Sequence, residues 1–308
     1  MQIKVPNRIR ALCVRALSES MEPRVMIHLI REIFPNYDVH ARTGYPESLS
    51  IPSMEVAAQI VSDVLAGEEF PNFLTLLIRA QEEGIMGRQY PVAYLREIIK
   101  ETFDLGLIYD SVNKVFVEDP KVRQTRNWGV LDEGKEYTLA FLSVDIVGNT
   151  RLVRTYSEPV VHRTYADLRE IIQNTIIRRN GRIWNWEGDG GLVAFFFGNK
   201  HMSAAVSAIE IIHEMYLYNR LRCALDEPLC IRIGVHAGPC EYNNTLDNLE
   251  RIQTIVETFE LERTSSPNGV TISVVIKVML EEIISEKFKS LGNSKNGPFT
   301  YQLEFAKK

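Results

Sequence analysis

One run in this chain combines strong strand character with an aspartate at its end, and that pairing constrains the fold more than any other feature. Residues 139–147, LAFLSVDIV, are apolar apart from Ser143 and Asp145. Such a run, short and without helical periodicity, predicts a buried strand. A carboxylate at the end of it is costly unless a cation or a hydrogen-bond donor meets it. The residues that follow, from Ile146 through Gly148, Asn149 and Thr150, form a small-residue loop that opens the long helix of this half. Backbone N–H groups at a helix start suit a phosphate.

A second aspartate, Asp189, lies between glycines in residues 181–198, GRIWNWEGDGGLVAFFFG. This stretch predicts two strands joined at Gly188, Asp189 and Gly190. If these strands neighbour the first in one sheet, both carboxylates meet at one edge. Together with a phosphate loop they could hold two hard divalent cations, Mg2+ or Mn2+. Each feature also has a plainer use. A Gly-Asp-Gly sequence makes a good hairpin turn, and Asp145 could cap the helix after it. Their order favours a joint role, because a third strand with the pattern R-x-G-x-H-x-G, from Arg232 to Gly238, follows in the same half of the chain.

The 308 residues predict about two domains. Residues 1–118 read mostly as helices: 7–17, 26–33, a segment opened by Pro52 with Ser53 as N-cap and stopped at Gly67, then 73–81 and 92–103. A short hairpin around residues 111–113 follows. This half holds no glycine loop and no convergent polar set, which suggests a regulatory domain or one that docks a protein partner. Residues 119–135 are polar, with Pro120, Gly129 and Gly134, and read as a linker. From 136 to 308 strands and helices interleave, among them an amphipathic helix over 159–179 with Leu168, Ile172 and Ile176 on one face. An α+β domain is expected.

A net charge of −5 and the lack of a Lys/Arg block argue against a nucleic-acid coat protein. The most apolar runs fall far short of the roughly 18 residues of a membrane span. Four cysteines without a C-x-x-C pair predict reduced thiols, hence a cytoplasmic protein rather than a zinc or disulfide framework.

The motifs of the second half, taken together, resemble those of class III nucleotide cyclases. FLSVDIVGNT (141–150) is similar to the F-x-D-I-x-G-F-T signature, WEGDGGLVAFF (186–196) to the G-D hairpin, IRIGVHAGP (231–239) to the R-I-G-I-H-T-G-P strand, and GVTIS (269–273) to the strand after the catalytic helix. The resemblance spans residues 136–305. It implies a ferredoxin-like βαββαβ core, a head-to-tail homodimer with shared sites, and a nucleoside triphosphate closed to a 3′,5′-cyclic monophosphate with release of pyrophosphate. Asp145, Asp189 and the Ile146 carbonyl would hold two divalent cations, and Gly148, Asn149 and Thr150 would cover the phosphates.

This sequence departs from the family pattern at several places. Asn149 replaces the usual loop Phe. Asn185 stands where adenylate-forming relatives carry Lys and guanylate-forming ones Glu. Asn offers both a donor and an acceptor, so it favours neither purine. That resembles the pyrimidine cyclases of Pycsar-type antiphage systems and implies UTP or CTP as substrate and antiviral signalling as context. ATP is the alternative, and a catalytically dead nucleotide-sensing module is another. Trp184 and Trp186 flank Asn185, and strand alternation predicts that both point away from its face. The helix that should carry a ribose-binding Asn and a transition-state Arg fits in two registers. Arg263 places Phe259 at the Asn position; Arg251 places Asp247 there. Lys295 resembles the basic residue that grips the triphosphate.

Overall fold

The computed structural model describes residues 4–111, 113–122, 125–243, 249–291 and 297–303. Contacts divide the chain into two compact units, 1–130 and 131–308. The first is a helical bundle of α1 (Asn7–Ser20), α2 (Pro23–Ile30), α3 (Val39–Thr43), α4 (Ser53–Ala66), α5 (Phe70–Glu82) and α6 (Leu95–Phe103), closed by the hairpin β1 (Leu107–Asp110) and β2 (Val115–Glu118). Its core runs from Ile9 and Leu17 through Ile60 and Phe73 to Ile98 and Phe116. Ser53 does not cap α4. Pro52 holds that position at φ −57° without a side-chain bond, and Ser53 is the first helical residue. Part of the polar segment read as a linker packs inside its unit, where Trp128 is fully buried.

The second unit is built on β3 (Glu136–Ile146), α7 (Asn149–Thr155), α8 (Glu158–Ile177), β4 (Arg182–Glu187), β5 (Gly190–Phe195), α9 (Lys200–Leu221) and β6 (Ile231–Glu241). The strands lie in the order β4-β5-β3-β6, with β3 antiparallel to both β5 and β6. This is a ferredoxin-like βαββαβ core, so the unit is α+β. After α10 (Gln253–Thr264), β7 (Gly269–Ile272) adds parallel to β6. Then α11 (Val274–Val278), α12 (Glu282–Ser285), β8 (Lys289–Ser290) and β9 (Phe299–Gln302) complete a seven-stranded sheet. No helix among the described residues is long and apolar enough to cross a membrane.

Alternation along β3 sorts the two faces of this sheet. Ala140, Leu142, Val144 and Ile146 pack against Leu168 and Ile172 of α8 and Ala204, Ala208 and Ile211 of α9. Each Leu or Ile so buried contributes roughly 1.5–3 kcal/mol. The odd-numbered positions face α10. Strand β6 repeats the rule, and its R-x-G-x-H-x-G pattern puts Arg232, Gly234, His236 and Gly238 on the α10 side. A Cβ at Gly234 would press into the backbone of Thr258 and Glu262, and one at Gly238 would stand 2.6 Å from Thr254 Oγ1. These glycines let α10 lie directly on the strand. His236 Nε2 then pairs with Glu257 Oε2 at 2.9 Å, and Thr254 Oγ1 donates to the Pro239 carbonyl at 2.6 Å.

Candidate active site

The register of β3 builds the site. Asp145 stands opposite Gly190 on β5 and Arg232 on β6. Opposed residues in antiparallel strands share a face, so the Arg232 side chain meets the carboxylate directly. Its Nη2 donates to Asp145 Oδ2 at 2.7 Å. On the other flank, glycine leaves room. A Cβ at Gly190 would sit 2.5 Å from the Val144 carbonyl oxygen. The β4–β5 turn is Gly188-Asp189, with Gly188 at φ 53°, so the strained position falls on glycine and Asp189 keeps ordinary backbone geometry. The turn brings Asp189 to the rim of a pocket of about 240 Å³, whose lining includes Asp145, Asn185, Glu187, Phe259 and Glu262.

The floor of this pocket is a charged cluster. Glu262, on α10, is only 7% exposed. Its Oε2 accepts from Ser143 Oγ at 3.4 Å, and its Oε1 lies 3.4 Å from Arg232 Nη2 without a hydrogen bond's alignment. Burial, then the charge of Asp145, pushes the Glu262 carboxyl from 4.5 up to about 7, against the pull of Arg232, Ser143 and Arg263. The folded chain therefore keeps a proton that the unfolded chain releases near the ordinary glutamate value. The resulting stability is full at acid pH and is lost as pH rises through about 7. The loss is on the order of 3 kcal/mol. Glu262→Gln, without divalent cations, should match the wild type in melting temperature near pH ~5 and exceed it near pH ~8.5. Parallel pH profiles for the two proteins, read by thermal denaturation, would remove Glu262 as the source.

The other sequence-derived candidates are distributed around this centre. Asn185 lies in the pocket with both aspartates. Gly148, at φ 73°, caps α7 and borders a separate pocket of about 420 Å³ with Val147 and Arg151. The loop opens this helix of 7 residues rather than the long one, because α8 begins afresh at Glu158. Asn149 Oδ1 accepts from the Tyr165 hydroxyl at 2.5 Å, which ties the loop to α8. Thr150 follows inside α7, and Ile146, buried, pairs in register with Ile231. Arg263 lines a pocket of about 440 Å³ with Val256, Phe259, Glu260 and Glu262, so it lies next to the Asp145 centre. Arg251 ends a single 3-10 turn, Leu249–Arg251, and lines neither pocket. Asp247 and Lys295 fall outside the described residues.

One orientation differs from expectation. A register shift between Ile183 and Asn185 breaks the alternation of β4. Trp186 does point to the opposite face, toward Arg169 of α8 at 5.9 Å. Trp184 instead packs edge-on against Phe141 at 5.1 Å, on the side of β3 that also carries Ser143 and Asp145. Sequence reasoning also gave no role to Arg232, Glu262 and Glu187. Arg232 was visible inside IRIGVHAGP, but only the pairing of β6 with β3 sets it on Asp145.

Hard-cation chemistry fits the donors present. Mg2+ is commonly held by one or two carboxylates together with water and substrate phosphates. Asp145 and Asp189 supply such a pair on one pocket, and Asp145 already accepts a cationic partner in Arg232. Among the described residues no group of three or more His, Cys, Asp or Glu is placed to hold a metal, so the remaining ligands would come from elsewhere.

No family model matches the chain, and no curated protein does. Solved structures do resemble it. The guanylyl cyclase domain of the RhoGC fusion protein from the aquatic fungus Blastocladiella emersonii is 19% identical, with a TM-score of 0.45, over 55% of this chain and 98% of that one. An adenylate/guanylate cyclase/hydrolase from Silicibacter pomeroyi is 24% identical, with a TM-score of 0.44, over 55% and 99%. The adenylyl cyclase CyaB from P. aeruginosa is 16% identical, with a TM-score of 0.46, over 56% and 97%.

Proposed function

We propose that the second unit is a class III nucleotide cyclase, closing a nucleoside triphosphate to its 3′,5′-cyclic monophosphate. The observation that carries this reading is the convergence of Asp145, Asp189 and Asn185 on one pocket of a βαββαβ sheet. Divalent cations held by the two aspartates would supply charge neutralisation at the phosphates and acidify the ribose 3′-hydroxyl.

The chain's own residues then have distinct tasks. Asp145 and Asp189 set where positive charge collects. Arg232 balances the charge of Asp145 in the resting protein. Gly148, Asn149 and Thr150 place backbone N–H groups beside the strand that carries Asp145, with Tyr165 anchoring the loop. Asn185 faces the base. Catalysis is positioning and electrostatic stabilisation of an in-line attack that expels pyrophosphate. Arg263 lies on the side of α10 that lines the open 440 Å³ pocket, which suits contact with the site of a second copy in a homodimer.

Neither Lys nor Glu occupies position 185, so the familiar purine contacts are absent and UTP or CTP is the favoured substrate, with antiviral signalling as its context. Incubation of the purified chain with each of the four nucleoside triphosphates and Mn2+ or Mg2+, with products identified by mass, tests this directly. A cyclic pyrimidine nucleotide and pyrophosphate are expected. Far faster turnover of ATP under matched conditions would make the protein an adenylate cyclase, and no cyclic product with any substrate would remove the cyclase reading.

A further inference from the structure

We propose that Glu187 is a specificity-determining residue of this pocket, reading the base as one half of a dyad with Asn185; the inference rests on the cyclase reading above. After the register shift in β4, Asn185 stands opposite Leu192 and Glu187 opposite Gly190. Leu192 and Gly190 are in turn opposite Ser143 and Asp145 on β3. Asn185, Glu187 and Asp145 therefore share one face of the sheet, and all three line the same pocket. Trp186 between them is held on the far face beside Arg169, which fixes which way its neighbours point.

Within the dyad Asn185 Nδ2 donates to Glu187 Oε1 at 2.9 Å. That bond fixes the amide. One N–H is committed to Glu187, so the dyad turns outward with a single remaining N–H, the amide oxygen and the second carboxylate oxygen. A carboxylate only accepts. The complementary base edge sets an N–H donor against Glu187 and an acceptor against the Asn185 N–H. Uracil meets this with N3–H beside a ring carbonyl, and cytosine with its N4 amino group beside N3. Adenine and guanine carry a donor–acceptor pair too, but on a bicyclic ring whose edge stands farther from the sugar, so the position of the dyad sets which ring size reaches it. The bond from a base N–H to Glu187 is charge-assisted and so stronger than one to a neutral amide. It makes Glu187, rather than Asn185, the larger contributor to selectivity, and Asn185 is positioned by it.

Glu187 is exposed at the pocket rim, so Glu187→Gln, of the same shape, is expected to leave the fold intact, checked by circular dichroism. The test is a competition among all four nucleoside triphosphates with Mn2+, read as cyclic product, for the wild type, Glu187→Gln and Asn185→Ala. Glu187→Gln should reduce the preference for the best substrate over the worst by roughly tenfold or more, the cost of one mismatched polar contact. The half-saturating Mn2+ concentration should stay unchanged. Asn185→Ala should reduce the preference less. A uniform fall for all four substrates, or a raised Mn2+ requirement with the ranking intact, would assign Glu187 to the cations and overturn the proposal. An unchanged ranking at full rate would also overturn it. Either result leaves the cyclase reading standing, whereas that reading fails only if the wild type makes no cyclic product.

Discussion

Asp145→Ala and Asp189→Ala should each abolish cyclic nucleotide formation, a loss of at least about a thousandfold, while the chain still folds. Removing either carboxylate halves the negative charge that would gather cations at the reacting phosphates. The folds should survive for different reasons. Asp145 neutralises Arg232, whose side chain is only 28% exposed, so its loss would strand a half-buried cation. Glu262 lies 3.4 Å from the same guanidinium and takes over that role. With Asp145 gone, the charge that helps to raise the Glu262 carboxyl is gone too, which favours its ionised form. Asp189 sits in the turn without carrying the positive φ, which belongs to Gly188, so alanine fits there. Product mass spectrometry with Mn2+, beside circular dichroism and size-exclusion chromatography, measures both halves of the expectation. Wild-type activity in either variant would remove the two-carboxylate reading.

The two aspartates were legible because each breaks a local pattern. Asp145 interrupts an apolar strand, and Asp189 sits between glycines where a hairpin must turn. The interleaving of strands and helices was legible as well, since their periods alternate in a sequence with clear glycine punctuation, while the βαββαβ order followed from the resemblance of the four motifs to class III cyclases. The ion pair beneath the site was not. Arg232 and Asp145 are far apart in the chain, and no local pattern says that β6 rather than β5 will set an arginine opposite that carboxylate. Glu262 reads as an ordinary helix-surface acid beside Arg263. It is buried because Gly234 removes the Cβ that would keep α10 off the strand, a relation between two elements rather than within one. Trp184 was misplaced for a related reason. Strict alternation is a sound rule for a regular strand, but the extra residue between Ile183 and Asn185 shifts the phase by one.

Mixing two inactive variants, Asp145→Ala and Arg263→Ala, should restore activity. The helix α10 carries Val256, Phe259, Glu260 and Arg263 at spacings of three and four, which is one face of a helix. That face lines an open pocket, while Thr254, Ile255, Thr258 and Glu262 are buried beneath it. An arginine on an open helical face contributes little to its own subunit's stability, so Arg263→Ala should fold normally. If the chain forms the proposed two-fold symmetric homodimer, each site draws its aspartates from one subunit and its arginine from the other. A mixed dimer then holds one site with every group intact and one with both groups missing. Random pairing of equal amounts would give roughly a quarter of wild-type activity. If Arg263 instead serves the aspartates of its own chain, every site in every mixed dimer lacks one group and nothing is recovered. Mixed dimers must be shown to form, for instance with two different affinity tags. No recovery under that condition would rule out a shared site built on Arg263. The same mixture made with Arg251→Ala then decides between the two arginines. Recovery there, with none for Arg263, would move the transition-state contact to the turn before α10.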